Sequence, residues 1–459
     1  MKRRKSNLSS DTATLLARLL LLTCLLAAGV PALSAAEGNA QMYGRELESA
    51  SEKLLINART EFERQEYWTS ARDLIILMDF NPQFSKSDEV IYLLGECLYE
   101  IGLPAGAAKL YKYLINRYIR SPLLPQALLG LLRIEYDRSD YARCLEFYET
   151  IARSNAPAPV SDAASYYAGQ CYYRYKDYPR AIKMYSAISD QSAYYDYGLY
   201  ATGICYLRMK NVRKAIQTLR SVCALTVIND QRRSVIDEAH LTLGYMYYEL
   251  GYFQAGYNQF MAVSPNYEKY DAALLAAGWA STMQNQFDVA LTPLTLLVSR
   301  YPQTENSEEA FFLLGRCYLK LKKYDEALSV YNHLISIFPN KEAIPPMVEQ
   351  VRSTLKEESA NLEHTKMDLL VLESKLLDTI PLEVDEKSPD YLKEEGRRLS
   401  ELREGMLRRI HEERQVFNDL YGQIEELKKT ADRREARRDW RAYAEFGRSR
   451  VMFLKMLEP

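Results

Sequence analysis

Residues 314–339 read LGRCYLKLKKYDEALSVYNHLISIFP. The informative positions are Gly315, an aromatic three residues on at Tyr318, another at Tyr324, then Ala327, Tyr331 and finally Pro339. A glycine on one helix and an alanine on the next let two backbones approach closely, and the aromatics fill the space between one helical pair and its neighbour. A proline twelve residues after the alanine marks where the second helix must end.

The same pattern recurs between residues 55 and 340. Copies run Leu94-Gly95 with Ala107; Ala168-Gly169 with Tyr172, Tyr178 and Ala181; Thr202-Gly203 with Tyr206 and Ala215. Leu243-Gly244 with Tyr247 and Phe253 follows, then Ala277-Gly278 with Phe287, Ala290 and Pro302. Weaker copies centre on Ala71, with Phe62 and Trp68, and on Cys144, with Tyr141 and Tyr148. The small residue of the second helix falls at 71, 107, 144, 181, 215, 256, 290 and 327, in steps of 36, 37, 37, 34, 41, 34 and 37. This resembles the tetratricopeptide-repeat (TPR) family, whose unit is a helix–turn–helix of about 34 residues. The resemblance implies an all-α fold, an α-solenoid of about eight repeats over residues 37–340, in which stacking supplies the core that no single unit can bury. Steps longer than 34 imply some longer turns between repeats.

Other parts of the chain bound what it does. The 459 residues are 47% hydrophobic, enough for substantial cores, and the formal charge of −2 does not suggest nucleic acid as a partner. The 36 tyrosines against 13 phenylalanines and 3 tryptophans suggest rings that are apolar on one side and wet on the other. Residues 1–36 read as an export signal: Lys2, Arg3, Arg4, Lys5 and Arg18 precede the apolar run Leu19 to Leu33, and Ser34-Ala35-Ala36 offers small residues for cleavage. A periplasmic or cell-envelope location is therefore expected, with an uncleaved inner-membrane anchor as the rival; lipidation at Cys24 is disfavoured by Thr23. Removing that segment takes away five basic residues and Asp11, so the mature charge is −2 − 4 = −6.

Six cysteines remain. Cys97, Cys171, Cys205 and Cys317 all lie two residues after the repeat's glycine position, which reads as a packing choice for a small apolar side chain. Equivalent positions in adjacent repeats should lie roughly 8–10 Å apart, beyond the ~7 Å Cα span of a disulfide, so free structural thiols are expected. The four histidines, His240, His333, His364 and His411, show no zinc-like spacing. Neither a phosphate loop, GxGxxG, GxSxG, HExxH, a CxxC pair nor an EF-hand loop occurs. No enzyme activity, metal or cofactor is expected.

The resemblance also implies a groove, because in the family the first helix of each unit lines the inner surface. The matching positions here are Tyr92, Tyr99, Tyr136, Tyr166, Tyr173, Arg174, Tyr197, Tyr200, Arg208, Tyr245, Tyr248, Trp279 and Phe312, with Arg133 and Arg316 among them. Tyrosine and arginine are the types enriched where binding energy concentrates. Such a groove suits an extended peptide or a partner helix with some acidic character. The alternative for any one tyrosine is simple packing between helices. The Lys/Asn clamp of chaperone-binding members is not matched, since Glu96 and Glu100 occupy clamp-like places and would repel a carboxylate.

After Pro345-Pro346 the composition changes. Residues 341–459 are expected to be helical and coiled-coil-like, with a linker near 379–390 holding Pro381 and Pro389. Leu399, Leu402, Met406, Ile410, Phe417, Leu420, Ile424 and Leu427 recur at helical spacing, predicting a hairpin or a self-associating stem over 391–456. Residues 428–450 hold nine Lys or Arg against four acids, which suits an anionic lipid or wall polymer, or simply a solvated face. The repeats are similar to those of periplasmic TPR proteins of outer-membrane assembly and Tol-Pal-linked division, families without such a tail. Two functions are therefore open: an adaptor that captures a peptide or helix in the groove, or an oligomeric spacer of an envelope machine for motility, secretion or polysaccharide export.

Overall fold

The computed structural model describes residues 33–302, 304–337, 350–351, 353–364 and 390–457. Every regular element among them is an α-helix, and none is long and apolar enough to cross a membrane. The chain divides into two compact units, residues 1–90 and 91–459.

The first unit holds a hairpin of α1 (Leu33–Glu63) and α2 (Tyr67–Phe80). Leu55 and Ala58 of α1 are buried, as are Ala71, Leu74 and Leu77 of α2. The Ser70 hydroxyl, itself buried, donates to the Ala58 carbonyl at 2.8 Å and ties the pair together. Residues 1–32, most of the expected export signal, lie outside the described residues.

The second unit opens within α3 (Ser87–Glu100), which pairs with α4 (Pro104–Arg117). Six more hairpins follow: α5 (Leu124–Asp137) with α6 (Tyr141–Arg153), α7 (Ala158–Arg174) with α8 (Tyr178–Tyr185), α9 (Tyr195–Arg208) with α10 (Val212–Cys223), α11 (Asp230–Glu249) with α12 (Phe253–Phe260), α13 (Tyr270–Met283) with α14 (Phe287–Arg300), and α15 (Glu305–Lys320) with α16 (Tyr324–Ile337). The long step between 215 and 256 is taken up by the 20-residue α11 and the loop before it. Helix α14 stops at Arg300, just short of Pro302; Pro339 lies outside the described residues.

The glycines do what the pattern predicts. A Cβ on Gly95 would stand 2.6 Å from the Tyr111 ring, one on Gly203 2.8 Å from Leu219, and one on Gly315 2.7 Å from Tyr331. Ala107, Cys144, Ala181, Ala215, Ala290 and Ala327 on the second helices have no exposed surface. A single left-handed residue turns each hairpin: Gln65, Ser139, Lys176, Lys210, Asn285, Lys322, and the glycines Gly102 and Gly251. In three of these turns the next residue caps the second helix, Asp140 accepting from the Arg143 amide, Asp177 from Arg180 and Asn211 from Lys214.

Of the two forms expected for 391–456, a hairpin or a stem, the structure shows no hairpin. Residues Asp390–Leu457 form one continuous helix, α17, and the expected linker at 379–390 lies almost wholly outside the described residues. The end of α17 belongs to the solenoid. Ala444 and Val451 are buried in one cluster with Phe311, Ala327, Tyr331 and Leu334. A Cβ on Gly447 would stand 2.6 Å from Tyr331, so that ring lies between Gly315 and Gly447. Tyr111 lies in the same way between Gly95 and Gly130. The last turns of α17 thus stand where the first helix of a further repeat would stand. The Arg441 guanidinium donates to the Ile335 carbonyl at 3.3 Å, satisfying an acceptor at the end of α16, and Lys455 pairs with Asp325. Farther along α17, Leu407, Ile410 and Ile424 are buried, and Arg414 lies against Gly102 in the α3–α4 turn.

Candidate partner-binding groove

Each first helix of the second unit from α5 to α15 touches the next first helix, and α15 touches α17. These helices form a continuous wall, and the predicted groove positions lie along it.

Polar and aromatic contacts step along the wall from one hairpin to the next. The Tyr99 hydroxyl donates to Asp137 at 2.6 Å, and the Arg133 guanidinium lies 4.1 Å above the Tyr99 ring. Arg133 also bonds Glu96 at 2.8 Å and Glu100 at 3.1 Å. The buried Glu96 accepts a further bond from the Tyr111 hydroxyl at 2.5 Å. Arg133 of the next repeat offsets one of the two charges, so the Glu96–Glu100 pair with its arginine keeps a formal charge of −1. Tyr92 stands beside Glu96, its ring 6.2 Å from Tyr111; burial first, then the Glu96 charge, holds its phenol well above the usual range.

Tyr136 packs edge-on to Tyr167 with centroids 5.3 Å apart, and its hydroxyl bonds the exposed Arg174. Arg208, also exposed, donates to the Tyr173 hydroxyl at 3.3 Å. Tyr166 meets Tyr167, Tyr185, Tyr194 and Tyr197 within 6.1 Å. Tyr200 bonds Thr242 at 3.1 Å. Burial is the main reason that Tyr99, Tyr166 and Tyr200 are each pushed up to about 12. Tyr245 is exposed, its ring 5.1 Å from Phe260, and Tyr248 packs on Phe253. The Trp279 indole donates to Glu309 at 2.6 Å, and Arg316 lies 5.8 Å above Trp279 and 5.9 Å above Phe312.

Phe312 differs from the expected open position. Trp440 and Tyr443 of α17 lie 5.7 and 5.8 Å from its ring, so the chain itself fills the wall's last place. Sequence reading missed this because Trp440 and Tyr443 sit in a stretch whose dominant signal is basic charge. It also missed Tyr167 and Tyr194, and the acids Asp137 and Glu309, which become partners only once neighbouring first helices stand side by side. Part of the basic stretch, 429–439, has side chains outside the described residues, and Arg441 is engaged within the fold.

Four of the nine groove tyrosines, Tyr99, Tyr136, Tyr173 and Tyr200, thus serve two purposes. Their rings pack between helices, and their hydroxyls bind the adjacent repeat. What the wall presents outward is a set of ring edges together with Arg174, Arg208 and Arg316. None of these three arginines forms an ion pair among the described residues; their neighbours are phenol oxygens and aromatic faces. Among the described residues there is no group of three metal-ligating side chains.

A stack of helical hairpins whose first helices make a common wall defines a helical-repeat protein. Tetratricopeptide-repeat profiles match residues 89–118, 129–196, 197–225, 272–304 and 308–341, and the chain is a tetratricopeptide-repeat protein. The α11–α12 hairpin lies between two matched segments and carries the same glycine contact, Gly244 against Phe260. Among solved structures, the C-terminal part of a TPR repeat-containing protein from Cytophaga hutchinsonii is 17% identical with a TM-score of 0.44, over 55% of this chain and 98% of that one. A TPR protein from Parabacteroides merdae is 15% identical with a TM-score of 0.36, over 56% and 96%. PilF of Pseudomonas aeruginosa is 11% identical with a TM-score of 0.33, over 57% and 97%. No curated protein sequence matches the chain.

Proposed function

We propose that this protein is a non-enzymatic adaptor of the bacterial cell envelope, whose inner wall captures an extended peptide or helix of an acidic protein partner. The observation that carries the reading is the line of exposed guanidiniums at Arg174, Arg208 and Arg316, each held on an aromatic neighbour and forming no ion pair among the described residues. A cation held in place but not neutralised is a docking point for a carboxylate, and a wall whose rings are already packed loses little freedom on binding. The export signature of residues 1–36 supports the compartment. The test is photo-crosslinking in intact cells from Arg174 and Tyr245, with exposed Lys323 as control. A discrete adduct from the first two positions alone supports capture on the wall; equal labelling from all three refutes it. Fractionation of the same cells checks the compartment, and a cytosolic protein of unchanged length would sink the envelope reading.

A second reading, an oligomeric spacer, is favoured by the exposed apolar residues Leu402, Val416 and Tyr421 on α17. It predicts a dimer or larger species in light scattering that Leu402→Glu with Val416→Glu reduces to a monomer. A wild-type monomer at all concentrations would refute it.

A further inference from the structure

The cysteines hold a feature that the groove does not use. Cys205 packs in one cluster with Ala181, and Cys317 in one cluster with Ala290. In both cases the thiol two residues after a first helix's glycine shares a buried cluster with the small residue on the second helix of the preceding hairpin. In one hairpin that small residue is itself a cysteine. Cys144 of α6 takes the alanine's place and meets Cys171 of α7 in a shared cluster. Their Sγ atoms are 3.1 Å apart, and neither side chain has exposed surface. A disulfide bond is about 2.05 Å long, so closing it needs a shift of about 1 Å.

We propose that Cys144 and Cys171 are a disulfide site that covalently joins the α5–α6 hairpin to the α7–α8 hairpin. The co-reactant is a small-molecule or protein disulfide. The thiolate of one cysteine attacks a sulfur of that disulfide and expels one thiolate. The second cysteine then attacks the mixed disulfide and expels the other. Two electrons and two protons leave the pair, and the oxidant becomes two thiols. In the folded chain the contact with Cys171, together with burial, holds the Cys144 thiol far above the usual range, which keeps it protonated and unreactive. The first thiolate therefore attacks the oxidant during folding, before burial, the second closes the bond as the two hairpins come together, and burial afterwards shields it from reductants. The linked helices include α7, which carries Tyr166, Tyr173 and Arg174. The bond therefore fixes the spacing of two hairpins whose first helices are joined by the Tyr136–Arg174 contact.

Equivalent first-helix positions in successive repeats are about a helix diameter apart, and that distance excludes pairs such as Cys171 with Cys205. Cys144 escapes the argument because it lies on a second helix, which packs directly on the first helix of the next hairpin.

The test is refolding of the full chain in a buffer of reduced and oxidised glutathione, followed by alkylation and a non-reducing peptide map. The expected result is one joined peptide pair holding Cys144 and Cys171, lighter than its parts by two hydrogens. The denatured protein should then alkylate two thiols fewer than the reduced form. Amides of 141–171 should exchange more slowly in the oxidised protein. Cys144→Ala, which installs the residue most other repeats carry, should fold with an unchanged circular dichroism spectrum and lose the joined pair. Ala181→Cys should create a second joined pair with Cys205. Full alkylation of both Cys144 and Cys171 in the oxidised protein, or pairing of either with a different cysteine, overturns the assignment.

Discussion

Gly447→Ala and Gly405→Ala, two identical changes in one helix, should act in opposite directions. Both glycines lie within α17, where alanine is intrinsically preferred by about 1 kcal/mol. At Gly405 nothing lies within 4 Å of the added methyl group, so Gly405→Ala should stabilise by about 0.5–1 kcal/mol. At Gly447 the methyl would meet Tyr331 Cζ at 2.6 Å, Cε1 at 2.7 Å and Cε2 at 3.0 Å. The ring is 1% exposed and has Gly315 on its other face, so it has nowhere to move. Overpacking of this kind costs about 1–3 kcal/mol. With the ring unable to retreat, the cost should lie in the upper part of that range, about 2–3 kcal/mol; less the ~1 kcal/mol gained in helix propensity, the net change should be a loss of about 1–2 kcal/mol in the docking of the last turns of α17. Repeat arrays do not unfold as one unit, so a global melting curve dilutes the effect. Hydrogen exchange of amides in 440–457 reads it directly, with opening favoured about 5- to 30-fold in Gly447→Ala and unchanged or slowed in Gly405→Ala. Equal protection of 440–457 in wild type and Gly447→Ala would refute the view that α17 completes the solenoid as a further first helix.

The αL turn residues give a second paired test. Lys210 sits at φ 58° with a side chain that conformation disfavours, whereas Gly251 sits at φ 78° without one. Lys210→Gly should raise stability by about 0.5–1 kcal/mol and Gly251→Ala should lower it by about 1 kcal/mol in thermal unfolding, and movement in the same direction would contradict the turn geometry. Arg133→Met strips Glu96 of its cation while leaving it buried, so a loss of about 3–5 kcal/mol is expected in urea unfolding, largely recovered when Glu96→Gln is added; a loss under 1 kcal/mol would show that Glu96 finds water instead. Alkali should unfold the array. Tyr99, Tyr166 and Tyr200 ionise near 12 when folded, against about 10 for an exposed tyrosine, so the stability they contribute is intact below pH about 10 and lost as pH rises through about 12. Absorbance titration at 295 nm and circular dichroism should therefore shift together, and ionisation of all three without loss of helix would refute the burial.

The repeat was legible in the sequence because stacking imposes the same local demand at every step. A close approach between two helices admits only a small residue, so Gly95, Gly169, Gly203, Gly244, Gly278 and Gly315, with a small residue twelve positions on (Gly256 after Gly244, alanine in the other five), declare the hairpins without any knowledge of neighbours. Composition likewise separated residues 37–340 from the charged tail. The groove tyrosines were legible as positions and not as interactions. That Tyr99 binds Asp137, that Tyr136 binds Arg174 and that Arg133 neutralises Glu96 depends on how far each first helix is rotated against the next, a quantity set by the whole interface and carried by no single residue.

Two features were decided by tertiary structure alone. The last turns of α17 complete the stack through Gly447 and Tyr331, residues separated by more than a hundred positions, so no local period could pair them; the spacing of apolar residues in 391–427 pointed instead to a coiled-coil hairpin or stem, and the charge in 428–450 to an anionic partner or a solvated face. The meeting of Cys144 with Cys171 joins a second helix to the following first helix. It was invisible to a comparison of equivalent positions, because sequence spacing reports the period of a solenoid and contact geometry alone reports what touches between its steps.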